Sequence, residues 1–221
     1  MTRRWRYGLV VFDCDGVLVD SELLATRAMC AVLNAAGIPA TEAMIHRCFG
    51  MKQADILVRV AADCACTIPP RVATRLWPET RRLFGKALRP VAGTVAFLES
   101  LGCPRCVASS SHLERIRFSL ETTGLARFFG DDTFSSHQVA NGKPAPDLFL
   151  FAAARMGIAP ARCVVIEDSV PGIRGARAAG MSAIGFVGAS HVTPAHREAL
   201  SQAGASAIAE TWADVAALLA A

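Results

Sequence analysis

Four short apolar runs constrain this chain more than any other feature: Tyr7–Phe12, Arg105–Ser109, Arg162–Glu167 and Ser182–Phe186. None alternates apolar with polar residues, which is the pattern of a strand covered on both faces rather than one facing water. Helical patterns separate and follow them at Thr94–Leu101, Leu113–Thr123, Asp147–Met156, Val170–Ala179 and Pro194–Ala203. Strands alternating with helices imply right-handed βαβ units, hence a doubly wound, Rossmann-like α/β fold with a parallel sheet between two helix layers. Ala207–Glu210 reads as a last edge strand and Ala213–Leu219 as a last helix.

The stretch from Ser21 to Leu88 breaks this alternation. It reads as helices at Glu22–Ala35, Thr41–Arg47, Gln53–Ala65 and Pro70–Ala87, with no strand among them. That is far longer than an ordinary crossover and is expected to be a helical domain inserted after the first strand. The expected division is an α/β core of residues 1–20 and 89–221, with residues 21–88 as the inserted α-helical cap domain.

Composition narrows the class. Hydrophobic residues make up 52% and mean hydropathy is +0.35, yet forty residues are Ala, so the excess belongs to helices. No run approaches the roughly 18 continuous apolar residues of a membrane span. The basic start Met1–Tyr7 precedes only Gly8–Phe12 before Asp13. That run is shorter than the roughly 7 to 15 residues of a signal sequence, so a cytoplasmic protein is expected. The net charge of +4, from 23 basic and 19 acidic residues, is spread along the chain. No basic patch is interleaved with aromatics, so no nucleic-acid partner is expected, and a small anionic substrate fits. With no export signal, the eight Cys are expected to be reduced thiols serving as small core residues. Cys103-Pro-Arg-Cys106 leaves a zinc- or redox-binding module as a remote alternative, although the spacing of a zinc knuckle is absent.

The acids that end the strands point to chemistry. The first strand runs into Asp13-Cys-Asp15-Gly16, and in an open α/β sheet ligands bind beyond the carboxyl ends of strands. A second acidic pair, Glu167-Asp168, ends the third apolar run, and the four carboxylates together make a hard-oxygen set suited to Mg²⁺. Taken alone, the first group reads equally as a solvated turn, and Asp168 or Ser169 as a helix cap. Ser109-Ser110-Ser111 lies just before a helix, where hydroxyls and backbone N–H groups suit an anion or simply cap the helix. Lys143 lies in Gly142-Lys-Pro-Ala-Pro-Asp147, on the loop before another helix.

In this order the stretches DCDGVLVD, VASSS, NGKPAPD and VIEDSVPGI resemble the motifs of the haloacid dehalogenase superfamily, in its subgroup with a helical cap after the first motif. The resemblance covers essentially the whole chain. It implies a phosphotransferase in which Asp13 attacks the phosphoryl group to form an aspartyl-phosphate. Asp15 matches the residue that protonates the leaving alkoxide and then activates water, a task expected to require a less charge-stabilised setting than that of Asp13. Mg²⁺ is implied as cofactor, held by Asp13, the backbone carbonyl of Asp15 and Asp168. Glu167 would act either as a direct ligand or through a hydrogen bond to one. Ser109, Ser110, Gly16 and Lys143 match the groups that bind the transferred phosphoryl oxygens, and a cis Lys143–Pro144 bond is an expected option.

Asp15 argues against dehalogenase or phosphonate-cleaving chemistry, because those relatives lack the second Asp. The rival is a β-phosphoglucomutase-like mutase, whose cap carries a His where this chain has Ala25 and an Arg where it has Gln53. Both departures favour hydrolysis, with Lys52 a partial substitute for the Arg. The expected function is therefore a Mg²⁺-dependent phosphatase acting on a small phosphorylated metabolite, a sugar or sugar-acid phosphate. Glu22, Gly50, Lys52 and Gln53 are the expected cap contacts to substrate, and the apolar Phe49–Met51 stretch is another candidate. No membrane partner is expected, and the chain is expected to act as a monomer or weak homodimer.

Overall fold

The computed structural model describes residues 5–48 and 51–220. Six strands form one parallel sheet: β1 (Leu9–Phe12), β2 (Arg105–Ser109), β3 (Thr133–Ser135), β4 (Cys163–Glu167), β5 (Ser182–Phe186) and β6 (Ala207–Ala209), in the order β3-β2-β1-β4-β5-β6. The order turns at β1, where the chain winds first to one side and later to the other, and a crevice opens at such a switch point. Register brings the motifs level. Phe12 pairs with Val107 and Ile166, so the residues that follow emerge together at one edge.

Alternate strand residues supply two cores. Val10, Phe12, Val107, Val164 and Ile166 face one layer, which contains Phe97, Ile116 and Trp212. Leu9, Val11, Cys106, Val165 and Ala183 face the other, with Leu148, Phe149, Ile173 and Leu200. Both faces are dry, which is why the strands read as continuous apolar runs. The covering helices are α6 (Thr94–Ser100), α7 (Leu113–Thr122) and α11 (Trp212–Leu219) on the first face, and α8 (Asp147–Arg155), α9 (Val170–Ala178) and α10 (Pro194–Gln202) on the second.

Between β1 and α6 the elements of the described residues are all helices, joined by turns and loops: α1 (Glu22–Ala35), α2 (Glu42–His46), α3 (Gln53–Asp63), α4 (Pro70–Ala73) and α5 (Leu76–Ala87). These helices share their own apolar cluster of Met29, Val32, Leu33, Ile45, Val60, Val72 and Leu76. The segments leading in and out run side by side, with the Asp20 N–H donating to the Arg89 carbonyl at 3.0 Å and the Val91 N–H to that of Leu18 at 3.0 Å. α5 belongs to both regions, since Leu76 lies in the helical cluster while Phe84 packs into the sheet core.

Two features differ from the sequence reading. The single helix expected over Pro70–Ala87 is two, α4 and α5. Pro78 has no N–H to give the Thr74 carbonyl, so the helix restarts at Leu76, which places Pro78 in a first turn where no donor is needed. The sequence reading also lacks β3, whose three residues are too few to show a period. No described helix is long and apolar enough to cross a membrane. Phe49, Gly50 and the basic Met1–Arg4 lie outside the described residues.

Candidate active site

Buried strand ends deliver carboxylates that the sheet alone could not tolerate. The Asp13 N–H continues the ladder to the Ile166 carbonyl at 3.0 Å, so its side chain projects immediately beyond β1. There it meets Glu167 and Asp168 from β4, and carboxylate oxygens of all three lie within 4.8 Å of one another, buried. Lys143, its side chain only 1% exposed, reaches in from the loop before α8 and donates to Asp13 Oδ1 at 2.5 Å and Glu167 Oε2 at 2.8 Å. The Lys143–Pro144 bond is cis.

One ammonium faces three carboxylates, and the electrostatics follow from that deficit. Burial, with Glu167 and Asp168 beside it, pushes the Asp13 carboxyl well above its ordinary range, and Lys143 offsets this only in part. Burial and Glu167 push Asp168 up likewise. Burial would lower the Lys143 ammonium, but Asp13 and Glu167 outweigh it and raise it. Three converging hard-oxygen donors short of positive charge fit a small divalent cation.

The turn after Asp13 is tight for a specific reason. Gly16 has φ +80°, and a Cβ there would sit 1.9 Å from Asp168 Oδ2. Its N–H donates to the Val19 carbonyl at 2.9 Å, so the turn and the close approach of Asp168 both require a glycine here. Gly172 likewise leaves room for Glu167. Ser169, not Asp168, caps α9 by accepting from the Gly172 N–H, and its hydroxyl also donates to Glu167 Oε1 at 2.5 Å.

Asp15 lies apart from this trio. Its carboxylate accepts from Ser21 Oγ at 2.6 Å, Ser111 Oγ at 2.6 Å and Arg115 Nη2 at 2.8 Å. Burial alone would raise it, but the Arg115 guanidinium and the two hydroxyls outweigh burial and hold it below the usual carboxylate range. Without a cation beside Asp13, Asp15 is the better stabilised of the two Asp side chains in its ionised form.

A cavity of about 310 Å³ opens above these groups. Asp13, Asp15, Lys143, Glu167 and Asp168 form its floor together with Ser109 and Ser110, while Glu22, Ala25, Lys52 and Gln53 from the inserted helices line its other side. Met29, Ile45, Met51, Ile56 and Leu57 give those helices an apolar wall. Burial, with Asp15 and Asp168 nearby, pushes the Glu22 carboxyl up to about 8.

Sequence reasoning missed several participants. Ser111 and Arg115 come to Asp15 from 96 and 100 residues away, and Ser21 from only six. His191, buried and held largely neutral by burial, lies 3.1 Å from Asp168 Oδ2. His196 contacts the Asp168 carbonyl. The Ser111 hydroxyl was legible as part of a polar triplet, whereas nothing in the sequence marks Arg115. The alternative built on Cys103 and Cys106 finds no support, because the two thiols pack in different cores on opposite faces of the sheet.

Known proteins align with this arrangement. The family described as haloacid dehalogenase-like hydrolase matches residues 7–180. The chain is 30% identical over 210 residues to a 6-phosphogluconate phosphatase of Escherichia coli, covering 94% of this chain and 95% of that one. It is 30% identical over 180 residues to a phosphorylated carbohydrates phosphatase of Thermotoga maritima, covering 79% and 82% respectively. Among solved structures, a haloacid dehalogenase-like protein of unknown function from Agrobacterium tumefaciens aligns with a TM-score of 0.83 and 37% identity, covering 96% of this chain and 97% of that one.

Proposed function

Since this chain belongs to the haloacid dehalogenase-like hydrolase family and is a phosphoric monoester hydrolase, we propose that it cleaves a small phosphorylated carbohydrate with Mg²⁺ as cofactor and Asp13 as nucleophile. The observation that carries this reading is the convergence of Asp13, Glu167, Asp168 and Lys143 on the floor of one cavity. Asp13, Asp168 and the Asp15 carbonyl, with Glu167 either as a further ligand or through a hydrogen bond to one, would hold Mg²⁺, which would supply neutralising charge for the transferring phosphoryl oxygens. Lys143 adds a second, fixed positive charge, and Ser109 with Ser110 offers further donors to the same oxygens.

The chemistry proceeds in two halves. An Asp13 carboxylate oxygen bonds to phosphorus as the bond to the sugar oxygen breaks, and Asp15 hands its proton to the departing alkoxide. Water then attacks the phosphorus of the aspartyl-phosphate and gives its proton to Asp15, so phosphate leaves and Asp13 is restored. The substrate's negative phosphoryl group raises the Asp15 carboxyl and so opposes Arg115, which favours the protonated acid when substrate is present. Residues 21–88 serve as a cap whose Glu22, Lys52 and Gln53 meet the leaving group. The α/β body consists of residues 1–20 and 89–221. Among the described residues that line the cavity, the cap has Ala25 where a mutase has the His that couples closure to proton movement, and Gln53 where it has the Arg that grips the second phosphate, with Lys52 the one partial substitute.

A panel of sugar and sugar-acid phosphates tests this reading, with inorganic phosphate release followed in Mg²⁺ and in excess chelator. The expected result is release that requires Mg²⁺, without stimulation by a sugar bisphosphate and without an isomeric sugar phosphate. Conversion of a hexose 1-phosphate to its 6-phosphate faster than phosphate release would replace hydrolysis with the mutase reaction.

A further inference from the structure

We propose that Arg115 is a positioning residue for this reaction, fixing the Asp15 carboxylate where the leaving oxygen departs. The proposal rests on the reading of Asp15 as acid and base. Arg115 sits in the first turn of α7 with its side chain only 16% exposed, and its Nη2 donates to Asp15 Oδ1 at 2.8 Å. Ser21 and Ser111 complete the carboxylate's partners, but each hydroxyl swings about a single bond, whereas the guanidinium is a planar donor held by its surroundings. Those surroundings are specific. The Arg115 Cζ lies 5.1 Å from the ring centroid of the fully buried Phe84 of α5. The Arg115 N–H donates to His112 Nδ1 at 3.2 Å, and the His112 ring meets Trp77 of α5 edge-on at 5.0 Å. The start of α7 is thus braced against α5 at two points while it holds Asp15. A general acid must come within about 2.6–3.2 Å of the atom it protonates. A misplacement of about 1 Å can cost about 100-fold, so the brace has a kinetic consequence.

The test compares two esters of similar shape, phenyl phosphate and p-nitrophenyl phosphate, of which only the first has a leaving group basic enough to need full protonation. Arg115→Ala in the full-length Mg²⁺-loaded enzyme is expected to lower kcat/KM on phenyl phosphate about 100-fold and on p-nitrophenyl phosphate less than about tenfold, with KM nearly unchanged. Arg115→Lys, which keeps the charge but not the planar fork, is expected to show the same selective loss at smaller size, and added guanidinium to restore part of the Arg115→Ala activity on phenyl phosphate. Equal losses on both esters, or a loss confined to KM, would overturn the proposal, and the Lys variant provides the same comparison if the Ala variant fails to fold. Asp15→Asn separates the two levels. Selective loss there without selective loss at Arg115 refutes positioning alone, while no selective loss at Asp15 removes the acid assignment and the positioning role with it.

Discussion

Replacing Asp13 with Asn is expected to reduce turnover by several orders of magnitude, toward the roughly 10⁶-fold seen when a covalent nucleophile is removed. A neutral amide cannot form the acyl-phosphate bond and is a poor ligand for a divalent cation. Unfolding is not expected to account for the loss, given the sign of the stability effect. The Asp13 carboxyl titrates higher in the folded protein than in an unfolded chain, chiefly through burial, so its ionised form at neutral pH costs folding free energy that is absent at low pH. Asn removes that cost. The metal-free variant is therefore expected to melt no lower than the parent at pH 7, and to gain less at acid pH where both carry a neutral side chain. Thermal denaturation at the two pH values, alongside the rate assay, checks both halves. Retention of more than a tenth of the parent's rate would assign the nucleophile elsewhere.

Lys143→Ala has the second-largest expected effect, and here activity and stability fall together. The ammonium compensates both Asp13 and Glu167 where the side chains are almost fully buried, Lys143 and Glu167 at 1% exposure and Asp13 at 8%. Breaking a buried ion pair by removing one partner costs about 3–5 kcal/mol, because the remaining charge stays buried without compensation. Loss of one fixed donor to a transferring phosphoryl group costs a further 10²- to 10³-fold or so in kcat. Mg²⁺ is expected to restore much of the lost stability by neutralising the same carboxylates, but not the rate, since it does not replace the ammonium's position. Melting temperature with and without Mg²⁺, read beside kcat at saturating Mg²⁺, separates these effects. A Lys143→Ala enzyme with normal kcat in Mg²⁺ would leave Lys143 only a structural role.

The contrast between Asp13 and Asp15 shows how far the sequence carries. Strands buried on both faces announce themselves as unbroken apolar runs, and β2 and β5 begin and end where the sequence reading put them. The acids at the ends of β1 and β4 were legible because carboxylates directly after such runs need compensation. Register then made their convergence a matter of topology. β3 escaped because three residues carry no period, and the break between α4 and α5 because Pro78 suits a first turn as readily as it ends a helix. Arg115 escaped for a deeper reason. It lies 100 residues from Asp15 in sequence and reads as one more basic residue on an amphipathic helix, and only the packing of α7 against α5 and the first turn after β1 makes it a partner of the acid. The same holds for His191, which meets Asp168 through a loop the sequence leaves featureless.

Rapid acid quench of the enzyme during turnover of its best sugar phosphate, followed by peptide mass analysis, tests the central claim most directly. A phosphoryl group is expected on the peptide that contains Asp13, labile to base as an acyl-phosphate is, and absent from the Asp13→Asn variant. A phosphoryl group on Ser109, Ser110 or any other residue, carried through turnover at the same rate as phosphate release, would contradict the account.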